Sequence, residues 1–148
     1  MDFIKTIVEL FEDKVEVIEG MDYPTFKVKK EDFLSVVTSL KTSEVLEFTF
    51  LIDLTAVEYD EYFEAVYHLM NLSNKQIIRL KVQLDKNNPS IASLTRLYKA
   101  ADLQEKETYD LMGINYEGHE GLKRVLCPDD FEGHPLRKDY VMPDRGSK

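Results

Sequence analysis

A chain of 148 residues with 43% hydrophobic content is long enough for one buried core and too apolar to stay disordered. Its net charge of −9 argues against nucleic acid, whose phosphates need a basic face, and no apolar run approaches the roughly 20 residues that span a bilayer. The single cysteine, Cys127, excludes an internal disulfide, fits a reducing cytosolic setting and leaves too few thiolates for an all-cysteine iron–sulfur cluster.

The N-terminus, Met1-Asp2-Phe3-Ile4-Lys5, lacks the basic-then-apolar layout of a secretory signal. Phe3, Ile4, Ile7, Val8, Leu10 and Phe11 recur at helical spacing and predict a short amphipathic helix over 2–12. Val15–Ile18 reads as a short strand ended by Gly20. Phe26 and Val28 alternate with Lys27 and Lys29, as an edge strand after Pro24 would. Asp32 is placed to cap a helix carrying Phe33, Leu34, Val36, Val37 and Leu40.

Three period-two segments follow, each the signature of a half-buried strand. Leu46, Phe48, Phe50, Ile52, Leu54 and Ala56 share one expected face. Phe63, Ala65, Tyr67 and Leu69 form the second set, and Ile78, Leu80, Val82 and Leu84 the third. The connections at 58–61 and 73–74 are short enough for an antiparallel meander. Asn87-Asn88-Pro89 marks a break, after which Ser90 or Ser93 is expected to start a short helix containing Leu94, Leu97 and Tyr98. The next helix is bounded by Asp102 with Glu105, in the spacing of a capping box, and by Gly113, where a left-handed residue ends helices. Loops, an extended piece at 122–126 and a frayed end at 144–148 are expected beyond it. The expected class is therefore α+β: an antiparallel sheet of about five strands with helices on one face, then an extended, loop-rich C-terminal segment. Residues 1–113 form the expected body domain and 114–148 the interaction segment.

The charge divides along the same line. From Glu117 onward six Lys/Arg face seven Asp/Glu, which leaves −8 on residues 1–116. Glu105, Glu107 and Asp110 read as acids on exposed or interfacial sides of the last helix, placed to receive Arg124, Arg137 or Lys138 when the tail folds back. His119, Cys127 and His134, with seven and then six residues between them, match no common zinc spacing. Each histidine follows a glycine, so each is expected to bond the backbone of its own turn. His68, mid-strand, reads as an ordinary sheet residue. An aromatic-Glu-Gly-His tetrad occurs twice, ending at His119 and at His134. The second leads into Pro135-Leu136-Arg137-Lys138-Asp139-Tyr140, where a proline-fixed backbone combines with arginine and aromatic anchors typical of protein interfaces.

These residues resemble the thirty-kilodalton (C) subunit family of NADH:quinone oxidoreductase, respiratory complex I. The likeness covers most of the chain after Leu46 and is sharpest from Glu105 to Ile114, which resembles the family's Glu-Arg-Glu-x-x-Asp-hydrophobic-aromatic-Gly-Ile signature. It continues through Glu117-Gly118-His119, through Leu122–Leu126 with Arg124, and through Phe131–Tyr140 with Gly133. Lys106 stands where the family usually has Arg, Leu103 where Trp is common, Met112 where an aromatic is common, and Glu120 where Pro usually follows the histidine.

The resemblance implies a peripheral, cofactor-free subunit on the cytoplasmic face of the cell membrane. Its partners would be the quinone-site (D) and neighbouring (B) subunits of the same complex, with no nucleic acid and no membrane span of its own. NADH or another donor, quinone, FMN and iron–sulfur clusters, or a nickel–iron centre, would belong to those partners. Glu105, Glu107, Asp110, Gly113, Gly118, His119, Arg124, Gly133, His134, Pro135, Leu136, Arg137, Lys138, Asp139 and Tyr140 are the expected interface and signature residues, none of them catalytic. The same resemblance extends to membrane-bound nickel–iron hydrogenases and ferredoxin- or F420-linked complexes. Two other classes fit the residues alone: an enzyme using its acids and histidines for proton transfer, and a stand-alone acidic binding module.

Overall fold

Alternating side chains and helical repeats resolve into seven strands and three α-helices in the computed structural model, which describes residues 3–121 and 133–138. In chain order these are α1 (Phe3–Phe11), β1 (Val15–Ile18), β2 (Thr25–Val28), α2 (Phe33–Thr42), β3 (Phe50–Glu58), β4 (Tyr62–Met70), β5 (Ile77–Asp85), β6 (Ser90–Ala92), α3 (Ala101–Met112) and β7 (Asn115–Glu117). Five strands form one sheet in the order β1-β2-β5-β4-β3, and β6 pairs with β7 in a small second sheet. The fold is α+β, as expected, with the meander β3-β4-β5 antiparallel throughout.

One sheet face carries Phe26, Val28, Phe63, Ala65, Tyr67, Leu69, Ile78, Leu80, Val82 and Leu84, all buried. Against it lie Ile7 and Phe11 of α1 and Phe33, Val36, Val37 and Leu40 of α2 in one continuous core. Phe33 stacks on Tyr67 with ring centroids 4.7 Å apart. The core must outweigh chain entropy through buried apolar area, at about 25 cal/mol per Å².

Five local expectations need correction, the first being that of a capped α2: Asp32 stands at its start but makes no side-chain cap. β2 is interior, parallel to β5, with the β1 strand outside it. Pro24 precedes the strand and its carbonyl accepts from Arg79 N at 2.9 Å, so the proline leaves the ladder intact. β3 begins only at Phe50, and its register shifts between Leu51 and Asp53. Ile52 is thus the extra residue of a bulge. Leu51 and Leu54 both turn inward, Phe50 stays 42% exposed, and Leu46 and Phe48 are buried ahead of the strand around Glu47 at φ 47°.

The helix expected after Ser90 is instead β6 followed by a turn. There Leu94 O accepts from Leu97 N and Tyr98 N, while Tyr98 donates its hydroxyl to Phe48 O at 2.7 Å. Finally, Asp102 lies inside α3 and Ala100 at its start offers no side-chain cap, so the capping box is absent. Gly113, at φ 76°, ends the helix in the left-handed conformation expected. β7 pairs with β6, and Tyr116 is 2% exposed within the core. Residues 115–117, expected in the C-terminal segment, are therefore built into the body. The extended piece at 122–126 and the end at 144–148 lie outside the described residues.

Asn71 fastens the β4–β5 turn to the segment before β3. It is buried, donates Nδ2–H to Leu46 O at 2.7 Å, and accepts at Oδ1 from Ser73 N at 2.8 Å and Asn74 N at 3.2 Å. Asn71→Ala strands the Leu46 carbonyl and should lower stability by about 2–3 kcal/mol, read as a reduced urea midpoint at unchanged slope.

Candidate interaction site

An α-helix ends with four carbonyls that have no partner inside the helix. At α3 the chain itself returns to supply donors. Gly113 N bonds Tyr109 O at 2.9 Å, the ordinary C-terminal closure. Residues 133–138 then take the next carbonyls in turn. Asp110 O lies 2.9 Å from His134 Nδ1, and Leu111 O accepts from Leu136 N at 2.9 Å. Met112 O accepts from Arg137 Nε at 2.6 Å and Gly113 O from Arg137 Nη2 at 3.4 Å. The guanidinium cation thereby sits at the negative end of the helix dipole. It also lies over the Phe63 ring, 5.0 Å from its centroid, a cation–π contact.

Gly113 makes this approach possible. A Cβ there would come within 2.5 Å of Arg137 Nη2 and 2.7 Å of His134 Cδ2. The next anchor is Glu58, at the end of β3 and 8% exposed. Its Oε1 accepts from the Lys138 backbone N–H and its Oε2 from Lys86 Nζ. Burial works against its ionisation, but these hydrogen bonds and the two lysine charges outweigh it and hold the carboxyl below its ordinary range. The Lys138 ammonium reaches Asp60 at 3.7 Å, a solvated pair that adds little.

Arg137 and Lys138 do not take the partners expected of them. Arg137 directs its hydrogen bonds to helix carbonyls, and Lys138 goes to Glu58 and Asp60 on the β3–β4 hairpin. Nor are the α3 acids all exposed: Glu105 and Asp110 are both 0% exposed, and Glu107 is half-buried. Glu105 holds down the segment after β6, accepting from Ser93 Oγ at 2.6 Å and Leu94 N at 2.7 Å. Its carboxyl is raised above the usual range by burial, which those two hydrogen bonds and His119 only partly oppose.

His119 follows the turn at Gly118 (φ 86°) and is packed beneath α3. Its Nδ1 accepts from Gly121 N at 3.1 Å, a bond within its own turn, and its Nε2 lies 3.0 Å from Asp102 Oδ1 and 4.0 Å from Glu105 Oε1. His134 differs from expectation, bonding α3 instead of its own turn. His68, expected to be an ordinary sheet residue, sits in a chain of polar contacts: Nδ1 to Asp53 Oδ1 at 2.6 Å, and Nε2 accepting from Arg79 Nε at 2.9 Å.

Pro135 and Leu136 form the outer turn of the clasp, with Leu136 61% exposed. Arg124, Asp139, Tyr140 and Cys127 lie outside the described residues. Among the described residues no group of three or more His, Cys, Asp or Glu is placed to hold a metal ion. Sequence reasoning misses Glu58 and Phe63. The available signal is Glu58 sharing the register of Leu54, since an acid on an inward register needs a partner.

Gly113→Ala should lose about 1–2 kcal/mol from left-handed strain and more from displacing Arg137 and His134, measured by chemical denaturation. The depressed Glu58 carboxyl contributes stability that is complete above its unfolded value, about pH 4.3. That contribution is lost as pH falls through the still lower folded value. Glu105, shifted the other way, contributes in the opposite sense: its stabilising share is present at acid pH and lost as pH rises through its folded value. Glu58→Gln should accordingly flatten the acid limb of the stability profile, measured by denaturation between about pH 3 and about pH 7, a window that spans the carboxylate range.

The model of the respiratory-chain NADH dehydrogenase 30 kDa subunit family matches residues 26–146. The NADH-quinone oxidoreductase C subunit of Moorella thermoacetica is 48% identical over 149 aligned positions, covering 99% of this chain and 99% of that protein. The protein of the same name from Citrifermentans bemidjiense is 47% identical, covering 82% of this chain and 77% of that one. Among solved structures, Nqo5 in a trypsin-resistant fragment (1–134) superposes with a TM-score of 0.70 at 23% identity, covering 80% of this chain and 98% of that one. A chain of the membrane-bound sulfane sulfur reductase, an archaeal respiratory membrane complex, gives 0.82 at 24% identity, covering 95% and 85%. The structural likenesses show a shared fold, and the sequence matches carry the assignment: this chain belongs to the family of the respiratory-chain NADH dehydrogenase 30 kDa subunit.

Proposed function

We infer that the chain serves as the structural 30 kDa subunit of an NADH:quinone oxidoreductase, gripping neighbouring subunits with its C-terminal segment while redox chemistry proceeds in them. The observation that carries this reading is the division within the signature. The Asp110 carbonyl, Gly113 and Arg137 build the clasp and Glu105 is buried against the Ser93–Leu94 segment, whereas Leu136 and the Lys138 side chain, 61% and 62% exposed, are presented outward. A rigid loop that offers an apolar knob beside a cation is suited to protein recognition. Asp139 and Tyr140 follow directly in the sequence.

The quinone-site (D) and adjoining (B) subunits are the proposed neighbours, with FMN, iron–sulfur clusters and the quinone site in partner chains. The proposed location is the cytoplasmic face of the membrane, reached through the complex; among the described residues no helix is long and apolar enough to cross a bilayer. A second reading, service in a related membrane respiratory complex, is favoured by the 0.82 superposition on the sulfane sulfur reductase chain. The 48% identity to an NADH-quinone oxidoreductase protein favours the first.

Leu136→Asp changes an exposed side chain and should leave the thermal midpoint of the purified chain within about 2 °C, as surface substitutions usually do. Introduced into the complex, it should sharply reduce co-purification of the neighbouring subunits and NADH:quinone turnover. Normal assembly and turnover would overturn the interface role. The identities of the co-purifying chains separate the two complexes.

A further inference from the structure

Residues paired directly across a ladder project from the same face of a sheet. Phe50 pairs with Met70, and Met70 with Ile77, so these three form one apolar row across β3, β4 and β5. Their chain neighbours Leu51, Leu69 and Ile78 point into the core, which puts the row on the face turned away from α1 and α2. Phe50 is 42% exposed, and Leu72, just past the end of β4, is 48% exposed. Apolar residues scattered singly on a surface mean little, but a contiguous row rimmed by polar groups marks a contact.

The next row on this face is Asp53, His68 and Arg79, and it is locked. His68 bridges Asp53 and Arg79, and Arg79 Nη1 donates to Asp22 Oδ1 at 2.8 Å. The Tyr23 ring stands against the same row, its centroid 5.6 Å from the Arg79 guanidinium and 6.2 Å from the His68 ring. The Arg79 side chain is thus engaged on both sides and 14% exposed, while those of Asp53 and Asp22 are 52% and 67% exposed. Glu44 and Glu47, on the segment leading into β3, are exposed as well, against Lys75 on the β4–β5 turn. The border of the apolar row is therefore predominantly negative.

We propose that this row docks an amphipathic helix of a neighbouring subunit, one whose apolar stripe is flanked by Lys or Arg. A sheet face offers side chains and no free backbone groups, so its occupant has to arrive with its own backbone paired, as a helix does. Three strands span about 10 Å, roughly the diameter of one helix. The flanking cations follow from the exposed carboxylates, since interfaces oppose unlike potentials. The surface is separate from the clasp, which reaches Glu58 and Asp60 at the β3–β4 hairpin, the other end of the strands. The proposal rests on the reading of the chain as one subunit of a complex and adds a second contact to it.

The test uses the purified membrane complex with the photoreactive p-benzoylphenylalanine in place of Phe50 or, separately, of Leu136. Position 50 should cross-link to another subunit, within a helix that carries Lys or Arg beside its apolar residues. Leu72→Lys, which removes an anchor and adds repulsion, should cut that product about tenfold, and Leu72→Glu should cut it by less. Cross-links from position 136 but none from position 50 overturn the surface and leave the subunit reading intact. A product from position 50 that lies within this chain, in a second copy of it or in a segment without flanking Lys or Arg also overturns it. So does Leu72→Lys cross-linking as the parent does. Silence at both positions overturns the proposal together with the reading beneath it.

Discussion

The architecture beyond the sheet depends on one constraint: a helix cannot end in the protein with its last carbonyls unanswered. In α3 those carbonyls belong to Asp110, Leu111, Met112 and Gly113, and residues 134–137 answer each of them. His134, Leu136 and Arg137 supply these donors from side chain, backbone and side chain in turn, which fixes the register of the returning segment against the helix. A shift of one residue would misplace Arg137 from both the helix terminus and the Phe63 ring. Gly113 is the hinge of this arrangement because it supplies a left-handed turn and yields the space that the arginine fills.

Where packing shows as alternation, the chain can be read from its letters. β5 keeps a strict period-two pattern, and β4 keeps one except at the buried Val66, because both lie inside the sheet with one face in the core. β1, α1 and Gly113 are equally legible. β3 is not, since a bulge at Ile52 inverts the register midway and leaves the letters looking continuous. The turn after β6 resembles a helix because Leu94 and Tyr98 are four apart, yet only one turn forms before the chain leaves for α3.

The clasp is half legible: residues 133–138 do return to the end of α3, but the partners of Arg137 and Lys138 differ from those expected. Charge counting pairs cations with acids, whereas the strongest local demand comes from neutral carbonyls at a helix end. Glu105 reads as an exposed or interfacial acid because nothing in its own helix marks it as buried in the core; its partners, Ser93 and Leu94, belong to a segment that sequence places in a helix. The departures from the family pattern are graded by exposure. Leu103, 56% exposed, offers less surface than the tryptophan common there, while Met112, 6% exposed, fills the core in place of a ring. Lys106 reaches Asp102 at 3.4 Å, within its own helix.

The parallel pairing of β2 with β5 carries a kinetic consequence. It joins Thr25–Lys27 to Arg79–Lys81 across a long loop, a contact whose closure entropy must be met before it can form. On the ribosome α1, the β1–β2 hairpin and α2 are all made before β5, so the helices can cover Phe26 and Val28 early while the β2 edge waits for its ladder partner. Until β5 arrives, that edge presents unpaired backbone donors and acceptors, the kind of surface on which strands of other chains add.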